Sequence, residues 1–229
     1  MRIILIGPPA AGKSRSGRRL ARALAASYAD TDRIIQAEHG PIRAIFAERG
    51  EAAFREIERE TVARALEEHE VVSLGGGAVM DPATQERILG SSAHVIYLTV
   101  RPEAVAERIA NDKRPLIRSV EDWSAIVESR RDTYERLATI TVDTSFRPMR
   151  RVIEEVLGLL ESAGAIDRRL VPSAPTSEGA GAGREGLEAA FGQGAGGPGD
   201  AEPDFDALDD DEPDEDEPDD DEQDAEETA

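Results

Sequence analysis

Short apolar blocks alternate with longer amphipathic stretches over the first 162 residues. Ile3, Ile4, Leu5 and Ile6 form a continuous apolar run, and 71–78, 94–100 and 140–144 carry similar β-rich segments. Uninterrupted runs of this length predict strands buried on both faces. Between them, helical spacing is read over 17–26, over 33–69, over about 102–110, over 120–137 and over 149–162. The 33–69 stretch is broken near His39-Gly40-Pro41 and at Gly50, with Phe46, Phe54 and Ile57 supplying apolar positions. Val152, Ile153, Val156, Leu157 and Leu160 mark one face of the last helix. Buried strands alternating with helices predict an α/β fold, a parallel sheet covered by helices on both faces.

The first strand runs into Gly7, and Gly12-Lys13-Ser14 follows at the spacing G-x-x-x-x-G-K-S. That is the P-loop pattern. Gly7 and Gly12 let the backbone turn and aim its N–H groups at an anion, and the helix behind adds its positive end. Lys13 reaches the β- and γ-phosphates of a nucleotide, and the Ser14 hydroxyl suits Mg²⁺. Lys13 is one of only two lysines among 27 basic residues, so a lysine here departs from the chain's default cation. The fold expectation sharpens to a P-loop NTPase-type sheet.

Asp30-Thr31-Asp32 places two acids at i and i+2. Two readings stay open. An extended segment puts both on one side of a strand end, one for the metal and one for a hydroxyl; alternatively the segment is a turn or a helix N-cap. No aspartate ends the strand at 71–78, which directs attention to Asp30 as the acid serving the metal. That strand ends instead in Gly75-Gly76-Gly77, an entropic cost that close approach of a ligand or another backbone explains. Arg55 and Glu58 lie three apart on one helical face and by themselves read as a solvated ion pair. Residues 111–118 are cationic, proline-stiffened and without apolar period, the character of a mobile lid that brings charge over phosphates.

Charge divides the chain. Residues 1–170 hold 26 basic and 26 acidic side chains, whereas 171–229 hold one arginine and 22 acids. The whole net charge of −21 therefore belongs to the end of the chain. After about Leu170, Pro, Ser, Gly and Ala give way to Asp, Glu and Pro, a composition that cannot offset its ordering entropy. The expected organisation is a P-loop domain over 1–168 and a disordered linker and acidic C-terminal tail over 169–229. With no cysteine there is no disulfide framework, thiol nucleophile or cysteine metal site. No apolar run approaches a membrane span. A cleaved N-terminus would remove the P-loop strand, so a signal peptide is not expected. The expectation is a cytoplasmic protein, a monomer, with no membrane or nucleic-acid partner, since the tail repels phosphates.

Taken together, GPPAAGKS, Asp30-Thr31-Asp32, Ile45-Phe46, Gly50-Glu51, Phe54-Arg55, Leu74-Gly75-Gly76-Gly77-Ala78, Arg114-Pro115-Leu116 and Arg130 four before Tyr134 resemble the shikimate kinases, in family order over 2–162. The resemblance implies transfer of the γ-phosphoryl of ATP to the 3-hydroxyl of shikimate, with Mg²⁺. It implies that Asp32 holds the shikimate hydroxyls, that Arg55 and Arg130 hold its carboxylate with Glu58 orienting Arg55, and that Gly76 lines the pocket. It also implies Ser14 and Asp30 around Mg²⁺, and Lys13 and Arg114 on the transferring phosphoryl. Gly7, Ala10, Ala11, Gly12 and Arg15 complete the nucleotide loop, with Arg108 and Arg147-Pro148 as the adenine contacts. Lys13, Asp32 and Arg114 are thus the expected catalytic residues. Ala10 stands for a common glycine, Arg15 for Thr or Ser, and Asp132 for a proline, and the lid is one residue short. The family pattern includes no acidic tail; contact with basic partners is its expected role. Competing readings are a gluconate or nucleoside-monophosphate kinase, or a nucleotide-dependent scaffold acting through the tail.

Overall fold

The structure is a computed structural model, and it describes residues 1–111 and 119–167, with side chains left out over 107–111. Five strands form one sheet: β1 Ile3–Ile6, β2 Tyr28–Asp30, β3 Val71–Ser73, β4 His94–Thr99 and β5 Ile140–Asp143. Their order is β2-β3-β1-β4-β5, and every pairing is parallel. The helices are α1 Lys13–Leu24, α2 Thr31–His39, α3 Ile42–Glu68, α4 Pro82–Leu89, α5 Pro102–Asn111, α6 Val120–Leu137 and α7 Met149–Ser162. The lid segment and residues 168–229 lie outside the described residues.

The apolar blocks are buried for the reason the pattern implies. Successive side chains of β1 point to opposite faces. Ile3 and Leu5 join Leu20, Leu98, Val152 and Leu160 in one core layer. Ile4 and Ile6 join Val62, Leu66, Val72 and Tyr134 in the other. A third, smaller cluster (Ile35, Ile45, Phe54 and Ile57) ties α2 to α3 apart from the sheet.

Three elements differ from the sequence reading. Helix α1 begins at Lys13 instead of Gly17, because Gly12, at φ 80°, takes the left-handed conformation as its N-cap. Residues 28–32 are not extended throughout: β2 stops at Asp30, whose side chain accepts from the amides of Asp32 and Arg33 and starts α2. Helix α4 was missed, although Asp81 caps it and Pro82 occupies its first turn, a start signal legible in sequence. The break at Gly50 is present as a non-helical residue, φ 80° and ψ 172°, inside α3.

Chain order makes the sheet centre functional. From β1 the chain passes to β2 and β3 on one side and then crosses to β4 on the other. Ligands of open α/β sheets bind at the carboxyl ends of strands where the order reverses. The loops after β1, β2 and β3 meet there.

Candidate active site

Gly7 leaves β1 at φ 142°, and a Cβ on it would overlap the Leu98 carbonyl. Only glycine fits there. Ala10, where a glycine is common, also has positive φ, 64°, and is accommodated despite its Cβ. The loop's carbonyls are held by distant donors: Trp123 Nε1–H donates to Pro9 O at 3.0 Å and Thr144 Oγ1 to Ala11 O at 3.2 Å. The Lys13 ammonium folds over the loop and donates to Pro8 O at 2.9 Å. No side chain caps α1 at Gly12, so the orphan amides of its first turn suit an anion. Ser14 and Arg15 share that turn, both half-buried.

Across the loop, Asp30 is buried and Asp32 partly so. The N-cap reading of this pair is the one the backbone takes at Asp30. Asp30 Oδ1 accepts from the amides of Asp32 and Arg33 at 3.1 and 3.2 Å, and its Oδ2 accepts from the Tyr28 hydroxyl at 3.3 Å. Burial pushes the Asp32 carboxyl up to about 6, with the negative Asp30 adding to the rise and Lys13 opposing it. Burial likewise raises the Tyr28 phenol well above its ordinary value, so it keeps its proton.

Magnesium would be served here by oxygen ligands. Ser14 supplies a hydroxyl and Asp30 a buried carboxylate, a hard-oxygen pair of the kind Mg²⁺ accepts alongside phosphate oxygens. Among the described residues no group of three or more His, Cys, Asp or Glu is arranged to hold a metal. A cation at this pair would therefore depend on nucleotide phosphates to fill its shell.

The triple glycine is where charged side chains from α2, α3 and α6 meet. A Cβ on Gly75 would overlap Asp32 Oδ1, and one on Gly77 would stand 2.8 Å from Arg55 Nη1. Close approach is thus the reason for these glycines, and what approaches is side chain. Arg130 Nη1–H donates to Gly76 O at 3.0 Å and Tyr134 Oη–H to the same oxygen at 2.6 Å. Arg55 Nη1–H donates to Glu58 Oε2 at 2.7 Å. Glu58 is only 3 % exposed, which corrects the reading of a solvated pair. Burial holds its carboxyl above the ordinary carboxylate range, against the pull of Arg55 and Arg130. Phe46 and Phe54 meet as a tilted pair with ring centres 4.5 Å apart, and Arg55 lies over the Phe54 ring. Asp32, Arg55 and Arg130 therefore surround one glycine turn that itself packs on Pro9 of the phosphate loop.

Arg147 is placed in the loop before α7, where it bonds the Asp143 carbonyl at 2.9 Å and pairs with Glu155. The Arg108 side chain and all of Arg114 lie outside the described residues. Asp132 is exposed on an unbroken α6, which its backbone N–H permits and a proline would not. Sequence reading passed over Tyr28, Ser73, Trp123 and Thr144. For Tyr28 a signal existed: two residues before Asp30 on one strand, it shares that acid's face.

Comparison with known proteins adds the following. A family model described as "Shikimate kinase" matches residues 9–161. A shikimate kinase of Mycobacterium avium is 42% identical over 168 residues, covering 71% of this chain and 94% of that protein. One from Corynebacterium efficiens is 40% identical over 164 residues, 69% of this chain and 96% of its own. The solved structure of shikimate kinase from Acinetobacter baumannii in complex with shikimate superposes with a TM-score of 0.66 at 29% identity, over 71% of this chain and 93% of that one.

Proposed function

The chain belongs to the shikimate kinase family, and on that premise we propose that it transfers the γ-phosphoryl of ATP to the 3-hydroxyl of shikimate, yielding shikimate 3-phosphate and ADP. The observation that carries the reading is the convergence of Asp32, Arg55 and Arg130 on the Gly75–Gly77 turn against the phosphate loop. Two arginines facing one turn suit a carboxylate, which a planar guanidinium binds in two-point fashion. A substrate without a carboxylate, such as a nucleoside monophosphate, gives that clamp no such partner.

In this reading Arg55, oriented by buried Glu58, and Arg130, braced on Gly76 O, fix the substrate carboxylate. Asp32 then accepts a hydrogen bond from the reacting hydroxyl and takes its proton late in transfer. Lys13, at the head of α1, and Arg114 stabilise charge on the transferring group, and the amides of 10–15 hold the rest of the polyphosphate. Ser14 and Asp30 would hold Mg²⁺, which would supply charge neutralisation for the transferring phosphoryl. Arg108 and Arg147-Pro148 flank the adenine. Positioning and electrostatics carry the acceleration. A coupled ADP assay across shikimate, gluconate and nucleoside monophosphates tests this; ADP release with shikimate alone is expected, and preference for another acceptor would overturn it.

Asp32 gives a pH test with opposed signs. Its ordinary value is 3.8 and its folded value about 6, so the stability that the neutral form allows is complete below 3.8 and lost as pH rises through 6. Activity needs the carboxylate and falls as pH drops through the same window. Asp32→Asn should therefore melt about 2–4 °C higher than the native chain at pH 8 while losing most of its turnover. The acid limb of kcat/KM near pH 6, which reports the free enzyme, should vanish from its residual activity. A variant less stable at pH 8 would remove Asp32 from this role.

Residues 169–229 complete the reading as an acidic extension of the kinase domain, directed at basic partners, in a cytoplasmic monomer. The described part closes its core without them. A chain ending at Leu170 should keep its Tm and kcat, and loss of either would assign the extension to the kinase itself. Among the described residues no helix is long and apolar enough to cross a membrane.

A further inference from the structure

Tyr28 opens β2 and Asp30 closes it, so both side chains stand on one face of that strand. The Tyr28 hydroxyl lies 3.3 Å from Asp30 Oδ2, 3.2 Å from the Ser14 carbonyl and 3.1 Å from Ser73 Oγ. Ser73 Oγ in turn lies 3.1 Å from the Lys13 carbonyl, to which it donates. Gly17 on α1 leaves the room for this: a Cβ there would stand 2.5 Å from Tyr28 Cε2 and 2.5 Å from Ser73 Oγ. One phenol thus touches both halves of the metal pair, the carboxylate of Asp30 and the backbone of Ser14.

Counting protons sharpens the point. Two hydroxyls, Tyr28 and Ser73, face three acceptors, namely Asp30 Oδ2, Ser14 O and Lys13 O. A hydroxyl donates once. With the Ser73 proton on Lys13 O, the single Tyr28 proton has three acceptors, Asp30 Oδ2, Ser14 O and Ser73 Oγ, of which only the carboxylate is charged and so the strongest acceptor. The Asp30 carboxylate already has Oδ1 fixed by two amides of α2. A bond from Tyr28 to Oδ2 adds a second anchor against rotation about the Cβ–Cγ bond.

We propose that Tyr28 is a positioning residue for the divalent cation: its hydroxyl fixes the outward oxygen of Asp30 against the Ser14 end of α1, so that carboxylate and serine stand as a ready pair. The proposal rests on Ser14 and Asp30 being that pair. A purely structural phenol, a strut between β2 and α1, would instead affect nucleotide binding whether or not metal is present.

The chain supplies its own reporter. Trp123 is its single tryptophan, buried, with the indole N–H on Pro9 O of the phosphate loop. The full-length native chain and Tyr28→Phe are titrated with ADP, reading Trp123 fluorescence, first in EDTA and then over a series of Mg²⁺ concentrations. Tyr28→Phe should bind metal-free ADP within about twofold of the native chain and need about tenfold more Mg²⁺ to reach the same tightening, the usual loss when a partner behind a metal ligand is removed. In an Asp30→Asn background the Tyr28→Phe change should add nothing to the Mg²⁺ dependence. Equal Mg²⁺ midpoints for native and Tyr28→Phe, or an equal loss of ADP affinity with and without metal, overturn the positioning role. Absence of any Mg²⁺ effect in the native chain overturns the Ser14–Asp30 pair itself, a distinct result.

Discussion

Lys13→Ala should lower kcat about 10²- to 10³-fold, the size of effect seen when one preorganised donor to developing charge is removed, while Tm stays nearly unchanged. The side chain is half-buried, and its bond to Pro8 O is a short-range one to the loop it serves. Alanine is also at least as good a helix former as lysine in the first turn of α1. Arginine should restore little, because its planar fork replaces a compact point charge. A second signature follows from the carboxyl opposite. Lys13 holds the Asp32 carboxyl below where burial and Asp30 would otherwise put it. Its loss should therefore move the acid limb of residual kcat/KM above the native pH of about 6. Melting curves, a coupled ADP assay and a pH series check all three. A kcat within tenfold of native would take Lys13 out of the mechanism.

Arg130→Ala should weaken shikimate binding roughly ten- to a hundredfold, as loss of a hydrogen bond to a charged group costs about 1.5–3 kcal/mol. ATP affinity should barely change, since Arg130 faces Gly76 and Glu58 and not the head of α1. Arg130→Lys should rescue in part only. The decisive comparison uses a substrate analogue with a neutral amide in place of the carboxylate. The native chain should lose affinity for it, and Arg130→Ala should lose much less, because the partner is already gone. Additive penalties would show that Arg130 does not touch the carboxylate. The same cycle on Arg55→Ala should give a similar coupling, with a further cost because buried Glu58 is left without its 2.7 Å partner.

Much of the molecule is legible in local pattern. The run Ile3, Ile4, Leu5, Ile6 announces a central strand because a strand covered on both faces needs apolar residues at every position. The G-x-x-x-x-G-K-S spacing announces an anion site because turn geometry and helix N-termini are set by neighbours in the chain. Arg55 and Glu58, three apart on a helix, were visible as a pair. Burial of its glutamate was not, since it depends on α6 and the glycine turn arriving from elsewhere.

What local pattern could not supply is everything fixed by contacts distant in the chain. The strand order, with β1 between β3 and β4, comes from which faces the crossovers cover. The glycine turn reads as a close approach from sequence, but only packing shows that Asp32 and Arg55 are what approaches. Trp123 holds Pro9 from 114 positions away, and Thr144 holds Ala11 from 133. The sequence by itself determined four of the five strands, the phosphate loop and the residue types around it, because those follow from period, turn chemistry and charge. Tertiary structure alone decided which acid caps a helix, which carboxyl is raised by burial and which hydroxyl stands beside Asp30, because desolvation and hydrogen-bond geometry exist only once the elements have met.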